Sequence, residues 1–299
     1  MDLAAKSHTF GAGHKGPLPF ERVNMRMLRS VFATMVFCVM LPALAAAADR
    51  AKLETFLEVT GFDVALDSIA LSASTAPEML GLQAEDFGSE WKRLTNDVFA
   101  TDKMHEMALD ILAETLSDDL LTHAANYYAT DLGKRLVIAE NASHMSDDDA
   151  LKSESGEAIV AGLERLDSAR LTYLKRMTKA SDSADNGLRA IREVQVRFLM
   201  AAAGAGVIDL KLEEPDLREL LSSDEDALRA ELEYGALTGA AYTYQAFSDE
   251  EVLAYTEALE HPEMRQVYDL MNAVQFEIMA NRFEALARAM TALQPSQEL

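Results

Sequence analysis

From Thr101 to Leu116 apolar side chains recur every three or four positions, at Met104, Met107, Ala108, Ile111 and Leu112. Asp102, Glu106, Asp110 and Glu114 repeat on the opposite side. One apolar stripe at a 3.6-residue period predicts an amphipathic helix, with Thr101 as its N-cap. The same test predicts helices over 49–60, capped by Asp49 and ended by Gly61, over 63–75, stopped before Pro77, and over 87–99, carrying Trp91. Residues 151–179 read as one long charged helix with an apolar line at Ile159, Leu163, Leu166, Leu171 and Leu174. The polar stretch from Asp182 to Gly187 reads as a linker, and the helical period resumes over 188–203. Gly204, Gly206 and Pro215 bracket a break where 207–212 is irregular or a brief strand. Helices follow over 226–247 and in the last two segments. Strict alternation is scarce, so the predicted fold class is all-α.

Two segments align without gaps at an offset of 131 residues, Leu116–Leu136 and Phe247–Val267. Ser117-Asp118-Asp119 falls on Ser248-Asp249-Glu250, Thr130-Asp131 on His261-Pro262, and Lys134 on Arg265. Each copy reads as a helix, a tight break and a second helix. Ser248 with Glu251 has the capping-box spacing, whereas Leu120 cannot reciprocate for Ser117. Thr130 is a plausible cap with Asp131 in the first turn, and Pro262 suits a first helical position, where its missing N–H costs nothing. The predicted architecture is therefore two related helical halves built on helical hairpins, 49–150 and 186–292. A long helix and linker, 151–185, join them, and 293–299 form a tail.

The run Tyr127-Tyr128-Ala129-Thr130-Asp131-Leu132-Gly133-Lys134-Arg135-Leu136 resembles the motif of DUF2059, a family of small, exported, helical bacterial proteins of unknown function. Tyr127 and Tyr128 match its aromatic pair, Thr130 its cap, and Gly133, Lys134 and Leu136 its glycine and basic–apolar end. Asp131 stands where proline is usual. In the second copy His261 and Pro262 match the break and Val267 the last apolar position. Ala258, Leu259 and Met264 replace the aromatics and the glycine. Leu53–Gly61 resembles the helix that opens the family. The resemblance implies an exported helical protein and brings no activity, cofactor or ligand with it.

The start of the chain agrees with export. Arg26 and Arg29 precede the apolar run Val31–Leu41, Pro42 breaks it, and small residues follow from Ala43. This is the layout of a signal peptide over 25–48, cleaved after one of Ala45–Ala48, and a periplasmic or secreted bacterial location follows. Residues 1–24 are mixed and aperiodic and read as an extra leader before a start at Met25. Cys38, the single cysteine, would leave with the signal, so the mature chain has no disulfide and no thiol chemistry. Residues 1–48 hold five of the 27 basic and two of the 50 acidic residues, leaving 22 against 48. Such a surplus disfavours binding to nucleic acid and to anionic membrane surfaces.

Catalytic motifs are missing from the sequence. There is no GxSxG, Walker or dinucleotide glycine pattern, and His105, His123, His144 and His261 never pair at the i, i+4 spacing of a helical zinc site. The acid-rich stretches Asp147–Asp149 and Glu213–Glu233 lack EF-hand spacing. No catalytic residue, cofactor or metal ligand is therefore assigned. The candidate interaction or structural motif is Tyr127, Tyr128, Thr130, Gly133, Lys134, His261 and Pro262. The expected function is a non-enzymatic envelope module that binds another protein or a small apolar ligand between helices. The alternative is a carboxylate-dependent hydrolase, which requires a cleft between the halves holding two or more acids of perturbed proton affinity.

Overall fold

Side-chain caps fix several helix starts. Ser117 accepts from Leu120 N at 3.4 Å and opens α6 (Asp118–Tyr128), after α5 (Thr101–Thr115). Thr130 accepts from Gly133 N at 3.0 Å and opens α7 (Asp131–His144). Asp148 accepts from Leu151 N at 2.9 Å and opens α8 (Asp149–Arg165). Ser248 and Glu251 form a reciprocal capping box at α13 (Asp249–Leu259), and Pro262 takes the first position of α14 (Pro262–Ala289). The remaining helices are α1 (Leu41–Thr60), α2 (Phe62–Asp67), α3 (Ile69–Ser72), α4 (Gly88–Val98), α9 (Ala169–Ala180), α10 (Ser183–Gly204), α11 (Glu214–Leu221) and α12 (Glu225–Thr243), with 3-10 turns at Ala73–Leu80 and Met290–Ala292.

This computed structural model describes residues 41–80, 88–146, 148–181 and 183–293, and every regular element among them is helical. The leader 1–24, the expected signal up to residue 40, Asp147, Asp182 and the tail beyond residue 293 lie outside the described residues. The described residues from Ala48 onward form one compact unit. No described helix is long and apolar enough to cross a membrane.

Several boundaries differ from expectation. Asp49 lies inside α1, because alanine, the best helix former, stands at 43 and at 45–48 and carries the helix upstream. Thr101 is the first helical residue and Ala100 the N-cap, with the first backbone bonds running to the Ala100 carbonyl. The helix expected over 63–75 breaks at Ser68, whose hydroxyl donates to Ala65 O at 2.7 Å, and Pro77 sits within a 3-10 turn. The long connecting helix is two helices, α8 and α9. At their junction Ser168 N donates to Leu163 O and Asp167 N to Glu164 O, a Schellman turn with Asp167 left-handed at φ +49° in the place glycine usually takes. Leu166, expected on the apolar line, is consequently 77% exposed. The expected linker 182–187 falls within α10 from Ser183 onward, and Asn186 and Leu188 are buried there. Residues 207–212 are irregular.

Helix α14 organises the core. Met264, Val267, Met271, Val274, Ile278, Phe283 and Leu286 form a buried apolar stripe along it, with charged residues such as Arg265, Asp269 and Glu277 on its exposed side. It packs against α10, α6, α5 and α4. Helix α8 lies along α12, and α9 along α13. The boundaries of α6, α7, α13 and α14 fit the 131-residue offset: α6 and α13 have eleven residues each, and α7 and α14 start at Asp131 and Pro262.

Candidate functional site

At the break between α6 and α7 the chain turns within two residues. Helix α7 then runs so close to α6 that a Cβ on Gly133 would lie 2.6 Å from Tyr128 Cα and nearer still to the Tyr127 carbonyl oxygen. This approach turns Tyr128 inward, where it is 1% exposed. Its hydroxyl meets Tyr255 of α13 at 2.9 Å and Tyr268 of α14 at 2.5 Å, and those two hydroxyls are 2.8 Å apart. Either oxygen can donate at each edge of this triangle. Tyr255 also donates to Glu140 Oε1 of α7 at 2.8 Å, as does Tyr244, the C-cap of α12, at 2.8 Å. Five helices thus meet at one buried polar cluster inside an otherwise apolar core.

Charge is unevenly compensated there. Desolvation pushes the half-buried Glu140 carboxyl above its ordinary value, against the pull of the Tyr244 and Tyr255 donors. Burial likewise raises Tyr128, Tyr244, Tyr255 and Tyr268 beyond the ordinary phenol range, with the Glu140 charge adding to it. Tyr127 is pushed up to about 12 by burial and by Glu140. Its ring stacks on Tyr255 with centroids 6.1 Å apart, and its buried hydroxyl makes no hydrogen bond among the described residues.

Glu140, Tyr244, Tyr255 and Tyr268 line a pocket of about 320 Å³. Apolar groups such as Phe62, Ala65, Met177 and Leu259 form other parts of its wall. Glu140 is the single carboxylate in that lining, so the paired acids that a hydrolase cleft requires do not meet in it. Arg170 of α9 frames the pocket from behind. It is nearly buried and donates to Tyr244 O at 2.6 Å, Phe247 O at 2.9 Å and Asp249 Oδ1 at 2.9 Å, which fixes the turn that carries Tyr244. A larger groove of about 670 Å³ lies on α10 and α11, where Arg197, Arg218 and Arg288 are paired with Glu193, Glu214, Glu277 and Glu284.

The residues singled out from the sequence separate into two groups. Tyr127 and Tyr128 belong to the cluster. Thr130 and Pro262 begin helices, Gly133 makes the close helix approach, and Lys134 is exposed. His261 stands at the break between α13 and α14 and does not serve as a cap through its side chain. It pairs through Nδ1 with Glu263 at 2.8 Å and stacks on His123 with centroids 4.8 Å apart. The sequence reading missed Glu140, Tyr244, Tyr255 and Tyr268 as partners. One signal was readable: Glu140 lies four residues after Leu136 and three after Val137, both buried, which puts a carboxylate on the inward stripe of α7. Among the described residues no group of three His, Cys, Asp or Glu side chains is arranged to hold a metal ion.

Residues 102–161 match the family described as an uncharacterized protein conserved in bacteria, DUF2059. The matched segment holds Tyr127, Tyr128, Gly133 and Glu140. The opening helix at 53–61 and the second copy of the motif lie outside it. Neither a curated protein nor a solved structure matches the chain.

Proposed function

We propose that the chain is an exported, non-catalytic helical module of the bacterial envelope, periplasmic or secreted, whose task is to bind a small ligand with an apolar body. The observation that carries this reading is the pocket bordered by α7, α12, α13 and α14, where apolar groups such as Phe62, Met177 and Leu259 share the wall with Glu140, three tyrosines and other polar side chains, a concave site that joins apolar surface to convergent polar groups. The shared 131-residue offset of helix boundaries supports reading α6–α7 and α13–α14 as related hairpins, one from each of two halves. The pocket then forms where the hairpins meet.

Gly239 of α12 lines the pocket, and a Cβ built there meets nothing within 4 Å, so Gly239→Leu introduces a side chain at the pocket without a backbone clash. A panel of small apolar and amphipathic compounds is screened for thermal stabilisation of the mature chain. A ligand that binds only the folded state raises stability by RT ln(1 + [L]/Kd). Compounds that stabilise the wild type should lose their effect on Gly239→Leu. Equal stabilisation of both proteins would remove the pocket from the argument.

A further inference from the structure

Five short oxygen–oxygen contacts hold the cluster together: three edges of the tyrosine triangle, and the approaches of Tyr244 and Tyr255 to Glu140 Oε1. Four phenols bring four protons. With Glu140 ionised, one of the five contacts is left as facing lone pairs. With Glu140 protonated, the count closes once the carboxyl donates to Tyr255 and Tyr255 donates into the triangle in place of Oε1. The contacts and the desolvation of the site thus both favour the protonated carboxyl when no cation lies beside it.

The other polar atoms of the pocket are unbalanced in the same direction. Asn272 Nδ2 donates to Ser181 O at 3.1 Å and Gln275 Nε2 to Ala65 O at 3.5 Å, which leaves both side-chain oxygens as acceptors. Asn141 Oδ1 is buried with no hydrogen-bond partner, and Glu140 Oε2 receives no hydrogen bond from the described residues. The pocket thus presents four open acceptors, Glu140 Oε2 and the side-chain oxygens of Asn141, Asn272 and Gln275, and no cationic Lys or Arg in its lining. An ammonium group is its complement, with three donors and no acceptor. Tyrosine and phenylalanine rings in the wall favour a cation further, and the acidic chain concentrates cations around itself.

We propose that the ligand of this pocket is a small primary ammonium ion with a short apolar tail, which takes the place of the Glu140 proton. The inference rests on reading the pocket as a ligand site. On binding, the neutral carboxyl and the free ammonium become a carboxylate–ammonium pair, and one proton goes to solvent. The groups facing Glu140 are the phenols of Tyr244 from the end of α12, Tyr255 from α13, Tyr268 from α14 and Tyr127 and Tyr128 from α6, with His144 one turn along its own helix. The α2 and α9 walls bring no ionisable side chain. All the phenols stay protonated near neutral pH, since burial moves them upward, so the exchanged proton is that of Glu140.

Titration calorimetry of the mature chain with n-butylammonium, in two buffers of different ionisation enthalpy, reads both affinity and proton release. Binding should tighten from acid toward neutral pH and release up to one proton, and n-butanol should not compete. Glu140→Gln keeps a neutral side chain that can donate like the protonated acid, and should bind n-butylammonium about thirtyfold or more weakly, as expected for loss of an enclosed charge partner. The proton count needs no variant, so the test survives a Glu140→Gln chain that fails to fold. The assignment is overturned if n-butylammonium does not bind, if it binds with no proton released at any pH, or if Glu140→Gln binds it as well as the wild type. If n-butanol binds and Gly239→Leu abolishes that binding, the pocket stands as a ligand site and the cation is wrong. If Gly239→Leu leaves n-butylammonium binding intact, the pocket reading itself falls.

Discussion

Replacing Gly133 with alanine adds one methyl group where two helix backbones nearly touch. The new Cβ would lie 2.6 Å from Tyr128 Cα, 2.9 Å from Tyr128 C and closer still to Tyr127 O. These are backbone atoms, so no side chain can rotate away and the helices must separate. Overpacking of this kind costs about 1–3 kcal/mol. Alanine gains up to about 1 kcal/mol of helix propensity over glycine, so the net loss is about 0–2 kcal/mol, toward the upper end because the clash is with backbone. Gly235 in α12 is the control. It is exposed, and a Cβ there meets nothing within 4 Å. Gly235→Ala should gain about 0.5–1 kcal/mol from the same propensity term. The same chemical change therefore acts with opposite sign at two sites, and thermal unfolding should separate the variants by several degrees, at about 2–4 °C per kcal/mol for a unit of this size. Urea midpoints with an unchanged slope would confirm that stability and not the unfolded state has moved. If Gly133→Ala stabilises as much as Gly235→Ala, the close approach of α6 and α7 does not exist as described.

Tyr128→Phe removes a buried hydroxyl from the triangle while Tyr255 and Tyr268 keep each other. Urea unfolding should show a loss of about 1–3 kcal/mol. Arg170→Met strips three acceptors of their donor and should cost about 3–5 kcal/mol in the same assay, with Arg170→Lys recovering only part because a lone ammonium lacks the planar fork. Burial raises the Glu140 carboxyl in the folded state, so its contribution to stability is complete below the unfolded carboxyl range and is lost as pH rises through the folded value. Glu140→Gln removes this dependence. Its stability relative to wild type should therefore increase from acid to neutral pH, and urea midpoints across that range showing the opposite trend would refute the assignment.

Local signals in the sequence carried much of the helix plan. The α5 stripe buries Met104, Ala108 and Leu112 as its period requires, and Ser117, Thr130 and Ser248 accept the capping hydrogen bonds their side chains suit. The misreadings share one cause, which is a local pattern overruled by what lies next to it. Asp167 enters the left-handed region that its neighbours gave no reason to expect, and alanines ahead of Asp49 keep the helix going. The tyrosine cluster was harder to see because Tyr128 and Tyr255 each sit where a core aromatic would sit anyway, and nothing within either helix announces a partner 127 residues away. Glu140 was the exception. At the matching position of the second copy, 131 residues on, stands buried Met271.

Helix α14 is the last long helix to be synthesised, yet it covers α4, α5 and α6. Until it arrives, the inward faces of those earlier helices lack part of their cover, and Tyr268 has not met Tyr128 and Tyr255. The order of synthesis therefore runs against the order of packing. The segment 102–161 that matches the bacterial family shares its core with α14: Met104, Leu112, Tyr128 and Leu136 are buried in the same cluster as Met264, Met271 and Ile278. Contacts so distant along the chain make folding slow and leave apolar surface exposed while it proceeds. A chain built this way keeps apolar faces open until α14 has been made.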